Sequence, residues 1–112
     1  MENREKAVSA EKVAIDTLRE GESILLRVKK QGLYSMRVEY MSLAKERDQL
    51  LSRLLLNGEP AADIQTRGTM GIHHVQRASK VRLSEGFYEL SVQHLRPGIE
   101  LFFVEFVEDE TN

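Results

Sequence analysis

Apolar and polar residues alternate along much of the chain from residue 22 onward, which is the pattern of β strands with one buried face. The clearest strand covers residues 34–40, where Tyr, Met, Val and Tyr alternate with polar residues. The same period predicts further strands at residues 24–28, 75–83, 87–94 and 99–107. Lys30-Gln31-Gly32 predicts a turn that makes a hairpin of the first two strands. Several short strands separated by turns predict an all-β sandwich.

The last of these strands, residues 99–107, is apolar on both faces. Its apolar side chains divide into Phe102, Val104 and Phe106 on one face and Leu101 and Phe103 on the other. A strand of this kind lies at the centre of a sheet or against a partner. We therefore expect a central strand or a homo-oligomer formed through residues 99–107.

Residues 42–56 fit two different structures. Their leucines follow a helical stripe, Ser42 could act as an N-cap, and several of the other residues favour helix. This interpretation makes the fold α+β, with one helix over residues 42–56. The alternative is a polar loop over 44–48 and a strand over 49–56, closed by the turn-forming pair Asn57-Gly58. Local propensity favours the helix, whereas the flanking strands favour the second structure.

The remaining segments carry weaker patterns. Residues 1–20 form a poorly defined N-terminal segment, in which Val13-Ala14-Ile15 fits a short strand or a loose helix. Residues 61–71 contain two glycines and have no clear period, which predicts a linker. The sandwich domain is therefore expected to cover residues 21–107, with an acidic tail at 108–112.

Two parts of the chain resemble the jelly-roll modules of carbohydrate-binding and galactose-binding-like domains. One is residues 32–40, with the pattern Gly-x-Tyr-x-Met-x-Val-x-Tyr, followed by residues 54–60 with their Asn-Gly turn. The other is residues 81–92, with the pattern Val-x-Leu-x-x-Gly-x-Tyr-x-Leu-x-Val. The similarity extends over residues 22–107 and is shared with PA14-like domains and with sandwich domains of bacterial transport lipoproteins. It implies a jelly-roll-like antiparallel β-sandwich, with a strand rather than a helix at residues 49–56.

Composition and charge exclude several classes of function. The chain has 112 residues, a formal net charge of −2 and no cysteine. The lack of cysteine excludes disulfides, thiolate metal sites and a cysteine nucleophile. Four cations could form a basic patch if their strands pair: Arg27, Lys29, Lys30 and Arg37. Because no aromatic residues are interleaved with them, we expect no nucleic-acid partner.

The sequence carries no membrane or export signal. No apolar run reaches the ~18 residues that span a bilayer, and no apolar region follows the charged start as in a signal peptide. We expect no membrane insertion. The localisation stays open between the cell interior and, for a piece of a longer exported protein, the extracellular space.

Histidines and carboxylates are the candidate site residues. The candidate ligand-binding residues are His73, His74, Arg77 and His94. Because neighbours on a strand point to opposite faces, His73 and His74 cannot easily hold one metal ion, although His74 and His94 could meet across paired strands. No cofactor is expected except a structural calcium ion, for which the resemblance suggests Glu11, Asp16 and Glu105 near the first and last strands.

No catalytic motif is present in the sequence. It contains no Gly-x-Ser-x-Gly elbow, no His-Glu-x-x-His pair and no P-loop, so we expect no enzyme activity. The resemblance implies a non-catalytic binding module that recognises a carbohydrate or cell-surface glycan as part of a larger system. The chain lacks tryptophan, and its three tyrosines alternate with core positions, so few aromatic residues remain to stack on a sugar. A structural or protein-interaction domain that docks or self-associates is therefore the alternative.

Overall fold

The computed structural model describes residues 5–8, 12–16, 18–45 and 47–108. Over these residues the chain contains nine strands and no helix, which confirms the all-β prediction. In chain order the strands are β1 (Glu5–Val8), β2 (Lys12–Ala14), β3 (Ile24–Val28), β4 (Gly32–Met41), β5 (Gln49–Leu56), β6 (Glu59–Arg67), β7 (His74–Leu83), β8 (Gly86–Arg96) and β9 (Glu100–Glu108). This part of the chain has no helix of the length and apolarity needed to cross a membrane.

The strands form two sheets of a sandwich. The five-stranded sheet has the order β1-β3-β8-β5-β6, and the four-stranded sheet has the order β2-β9-β4-β7. Neighbouring strands are antiparallel except β1 and β3, which run parallel. The jelly-roll-like antiparallel β-sandwich is thereby confirmed.

A single pair of consecutive described strands, β5 and β6, forms a hairpin. Its turn residues Asn57 and Gly58 have φ of 53° and 78°, as a two-residue type I′ turn requires. All other connections between consecutive described strands cross from one sheet to the other. The hairpin expected at Lys30-Gln31-Gly32 is therefore wrong, and the basic patch that depended on it does not form, because Arg27 and Arg37 belong to different sheets.

The helix considered for residues 42–56 is also wrong. Strand β5 lies between β6 and β8, and its residues alternate between the two faces of the sheet. Its buried residues are Leu50, Ser52, Leu54 and Leu56, and its half-buried residues are Leu51, Arg53 and Leu55. Because leucines occupy both faces of this central strand, their spacing imitates the stripe of an amphipathic helix.

Two weakly patterned segments contribute further strands. The linker predicted for residues 61–71 is wrong over residues 61–67, which belong to the edge strand β6, whereas residues 68–71 do lie in a connection. Its inward side chains include Ala62, whose small size weakens the alternation with the polar positions. Within the N-terminal segment 1–20, β1 and β2 each add an edge strand to one sheet.

The core lies between the inner faces of the two sheets. Tyr34 and Tyr40 are only 4% and 5% exposed and Tyr88 is half-buried, in line with the expected core role of the tyrosines. The side chains of Met36, Leu54 and Ile64 are fully buried.

Strand β9 lies between β2 and β4, as its two apolar faces predict. Between Glu39 and Tyr40 of β4 the register shifts, and Phe102 becomes an extra residue in β9. The buried residues of the strand are Leu101, Val104 and Phe106. The prediction that Phe102 shares a face with Val104 and Phe106 is therefore wrong, because the bulge at Phe102 shifts the alternation between the two faces of the strand.

The crossing connections collect at the two ends of the sandwich. The strand registers place the connections 15–23, 42–48, 68–73 and 97–99 at one end, which we call the loop end. The crossing connections 29–31 and 84–85 lie at the opposite end, the turn end, together with the hairpin turn 57–58.

Two connections of the loop end are tied together by Ser42 and Thr69, both buried. The Thr69 hydroxyl accepts a hydrogen bond from the Ser42 amide at 2.7 Å and donates one to the Ser42 carbonyl at 3.0 Å. The Gly71 amide donates to the same carbonyl at 2.8 Å. The neighbouring Gly68 packs so closely against the carbonyl oxygen of Ala44 that a Cβ would overlap it.

We predict that Gly68→Ala lowers the free energy of unfolding by about 1–3 kcal/mol, because the new methyl group meets backbone rather than a movable side chain. Urea denaturation measures the change. Gly32→Ala is the matched control, since its Cβ would make an ordinary contact with the Tyr34 ring at 3.8 Å, and it should alter stability by less than about 1 kcal/mol. Equal stabilities of the two variants would contradict the close packing of these connections.

Candidate functional site

A cavity of about 310 Å³ opens at the loop end of the sandwich. We call it the loop-end cavity; its lining is Ile15, Asp16, Leu18, His94, Ile99, Glu100, Leu101 and Phe102. These residues come from the β2–β3 connection, the end of β8 and the start of β9. The cavity therefore forms where two crossing connections and the ends of both sheets meet.

Two carboxylates line the cavity. Asp16 and Glu100 both belong to exposed residues, and neither side chain makes a hydrogen bond or ion pair to another residue in the described part of the chain. Among the described residues, the lining includes no lysine or arginine. The cavity thus offers negatively charged acceptors to a ligand that carries hydroxyl or ammonium donors.

His94 adds an imidazole whose position is fixed by a hydrogen bond to the neighbouring strand. Its Nδ1 lies 2.7 Å from the hydroxyl of Ser52, which is completely buried in the neighbouring strand β5. Which of the two groups donates depends on the tautomer of the ring. The bond holds the ring in place and leaves Nε2 available for a ligand, as donor or acceptor.

Phe102 supplies an aromatic surface at the cavity. Its ring stacks on His73, with ring centroids 4.6 Å apart and planes inclined by 3°. Nδ1 of His73 lies 3.9 Å from Oε2 of Glu39 on the central strand β4. The bulge in β9 therefore places Phe102 where it both lines the cavity and contacts the β6–β7 connection.

The structure brings together only some of the candidate ligand-binding residues. His94 lines the cavity, and His73 adjoins it through Phe102. His74 instead stacks on Tyr40, with centroids 5.9 Å apart. The idea that His74 and His94 meet across paired strands is wrong, because β7 and β8 belong to different sheets. Arg77 is exposed on β7, opposite Arg37 of β4, away from the other candidates.

The calcium candidates do not form a ligand set among the described residues. Asp16 lines the cavity, whereas Glu105 faces Arg37, with 3.8 Å between the Glu105 carboxylate and the guanidinium. Glu11 lies outside the described residues. The described part of the chain has no group of three or more histidine and carboxylate side chains that could hold a metal ion.

Glu100 and Phe102 also line the cavity, although neither is a candidate site residue from the sequence. The turn at Arg96-Pro97-Gly98 indicates that the next residues begin a strand at one end of the sandwich. A strand pattern alone cannot show the bulge that turns Phe102 towards the cavity, because the bulge depends on pairing with β4.

No family model matches the sequence, and no curated protein matches it. Among solved structures, a β-glucosidase from Paenibacillus barengoltzii is similar to 92% of this chain, with a TM-score of 0.75 and 28% identity over 11% of its own length. The Podospora anserina GH26-CBM35 β-(1,4)-mannanase is similar to 80% of the chain, with a TM-score of 0.63 and 12% identity over 19% of its length.

A third similar structure is a cycloisomaltooligosaccharide glucanotransferase from Paenibacillus sp., complexed with cycloisomaltoheptaose. It covers 84% of this chain with a TM-score of 0.60 and 12% identity, over 14% of its own length. The chain thus spans between about a tenth and a fifth of these three enzymes. These three similar structures are carbohydrate-active enzymes, and the fold is that of an all-β domain found within them.

We predict that Ser52→Ala lowers the free energy of unfolding by about 1 kcal/mol, because it removes the partner of a half-buried imidazole. Thermal unfolding and a double-mutant cycle with His94→Ala measure the effect and its coupling. Ser91→Ala is the control, because Ser91 lies on the neighbouring strand β8 without a described side-chain hydrogen bond. A coupling energy near zero would contradict the anchoring of His94.

Proposed function

We propose that this chain is a non-catalytic binding module that recognises a carbohydrate as part of a larger system. The observation that carries the proposal is the loop-end cavity, which combines acceptors, an imidazole and an aromatic ring in about 310 Å³. This volume lies at the small end of the range of about 300–1,000 Å³ typical of ligand sites. The similarity to domains of carbohydrate-active enzymes supports the same class of ligand.

The lining suits the chemistry of a sugar. Hydroxyl groups of a pyranose donate hydrogen bonds well to ionised carboxylates such as those of Asp16 and Glu100. The apolar C–H face of the ring can pack on Phe102, and His94 can donate or accept a further bond. The site thus provides what a glycan requires without a tryptophan platform.

The exposure of the carboxylates supports a role without catalysis. Glycoside hydrolysis by two carboxyl groups requires one of them to be held protonated by burial or by a neighbouring charge. Asp16 and Glu100 both belong to exposed residues. The similarity also gives no reason to assign the activity of these enzymes to this chain, since it covers only 11–19% of their chains.

Self-association is the second candidate function. Three aliphatic side chains stand out in the connections of the loop end: Leu43, Met70 and Ile72 are 73%, 65% and 58% exposed. Met70 also has φ of 53°, so a strained backbone displays it. Self-association through residues 99–107 would have to use the outer sheet face, because β9 already has a neighbour on each side. These aliphatic side chains favour the loop end as the contact with a second copy.

We predict that Asp16→Asn and Glu100→Gln each weaken sugar binding by about fivefold or more, because each replaces a charged acceptor by a weaker neutral one. A panel of neutral and amino oligosaccharides, followed by calorimetry and amide chemical shifts with and without calcium, identifies the ligand. Asp48→Asn is the control, as an exposed carboxylate of the same end outside the cavity lining.

Two results would contradict this proposal. One is the lack of binding to any sugar of the panel at millimolar concentration. The other is steady hydrolysis of an aryl glycoside that Asp16→Asn or Glu100→Gln abolishes, which would make the cavity an active site.

For self-association, we predict that the protein dimerises with rising concentration in light scattering and that Met70→Ser and Leu43→Ser shift it to the monomer. These substitutions remove apolar area from exposed positions and should leave thermal stability nearly unchanged. Leu95→Ser, at a 40% exposed leucine of β8, is the control and should not alter the oligomeric state. A monomer at all concentrations would rule out this second function.

A further inference from the structure

A second concave site lies at the turn end, where β3 ends and β8 begins. It is an open depression of about 370 Å³, and its lining is Arg27, Val28, Lys29, Glu85, Gly86 and Phe87. We call it the turn-end site. None of these residues lines the loop-end cavity.

An exposed aromatic ring and an arginine stand next to each other in this site. Phe87 is 55% exposed, whereas Phe106 is buried and Phe102 and Phe103 are half-buried. Arg27 is its direct register partner across the antiparallel pair β3 and β8. Side chains of such partners project from the same face with Cβ atoms roughly 4.5–5.5 Å apart. The guanidinium and the phenyl ring can therefore contact one ligand at the same time.

The charged groups of the turn-end site have no described partners. Arg27, Lys29 and Glu85 make no ion pair or side-chain hydrogen bond to another residue in the described part of the chain. Counted over the described residues, this lining carries two cations and one carboxylate, a net charge of +1, whereas that of the loop-end cavity carries two carboxylates and no lysine or arginine.

Protection of a sheet edge does not explain these residues. Cations often stand on edge strands, where they prevent pairing with another chain. However, β3 is paired on both sides, by β1 and β8, and β8 is paired by β3 and β5.

Gly86 also has φ of 131°, a backbone conformation that favours glycine, and the space beside it is open. The backbone conformation therefore favours a residue without a side chain directly before Phe87.

We propose that the turn-end site binds an acidic saccharide, one whose sugar ring carries a carboxylate or sulfate. The C–H face of the ring packs on Phe87, the anionic group contacts Arg27 and Lys29, and Glu85 accepts hydrogen bonds from ring hydroxyls. A single aromatic residue favours one sugar over a nucleic-acid strand, whose sites stack successive bases on several rings. The proposal stands independently of sugar binding at the loop end.

The test is titration of the protein with tetragalacturonate, followed by amide chemical shifts and calorimetry. Fully methyl-esterified tetragalacturonate serves as the matched neutral ligand, a sulfated disaccharide as the second anion and a thymidine oligonucleotide as the nucleic-acid probe. The variants are Arg27→Gln, Lys29→Gln and Phe87→Leu. Arg82→Gln is the control, because this exposed arginine of β7 has no described partner and lies on the other sheet.

We expect shifts confined to residues around 27–29 and 85–87, and an affinity for the acid at least about threefold above that for its ester. Each of the three variants should weaken binding of the acid by about three- to tenfold, whereas Arg82→Gln should leave it unchanged. A stronger response to the sulfated disaccharide would identify sulfate as the anionic group. The proposal is overturned if no anionic sugar binds at millimolar concentration, if the ester binds as well as the acid, or if only the oligonucleotide binds.

Discussion

The packing of two inner sheet faces against each other is the constraint on which the rest of this structure depends. Without helices in the described chain, every buried apolar side chain must come from one face of a strand or from the connections between strands. All connections but the β5–β6 hairpin cross between the sheets, so consecutive described strands elsewhere contribute to opposite walls of one core. Loss of packing in either wall therefore weakens the other, because each wall buries the side chains of its opposite.

The same crossing pattern explains why the candidate sites lie at the two ends. Connections that pass between sheets must cover the open ends of the core, and they bring together residues that are distant in sequence. At the loop end, Asp16 and Glu100 line one cavity in this way, and Ser42 is hydrogen-bonded to Thr69. These contacts explain how a chain with one small core can hold polar groups in a defined arrangement without disulfides.

The positions of the strands could be predicted from the sequence better than the pairing between strands. The alternation of apolar and polar residues predicted a strand reliably where one face of the strand packs on the core, as in β4, because the period of side-chain burial is a local property. Pairing depends on the whole sheet, so the turn at residues 30–32 could not reveal that β3 and β4 separate into different sheets. Phe102 shows the same limit at the site, since its direction follows from a register shift against β4. His94 and Asp16 were recognised from their residue type, although nothing in the sequence placed them in one cavity.

Strand β8 contributes a residue to each site, one at each of its ends, but the charges of the two sites are too far apart to interact strongly. His94 and Phe87 lie seven residues apart on this strand, which corresponds to about 23 Å at the usual rise of a β strand. That separation is more than twice the Debye length of about 8–10 Å at physiological salt, so the carboxylates of one site hardly affect the cations of the other. Substitutions at the two sites should therefore act additively, as expected for residues without shared partners. In the functions proposed above, a rigid strand with oppositely charged sites at its ends would let one small domain contact two chemically different ligands, or two parts of one polymer, and the affinity gained would then depend on the length of polymer between them.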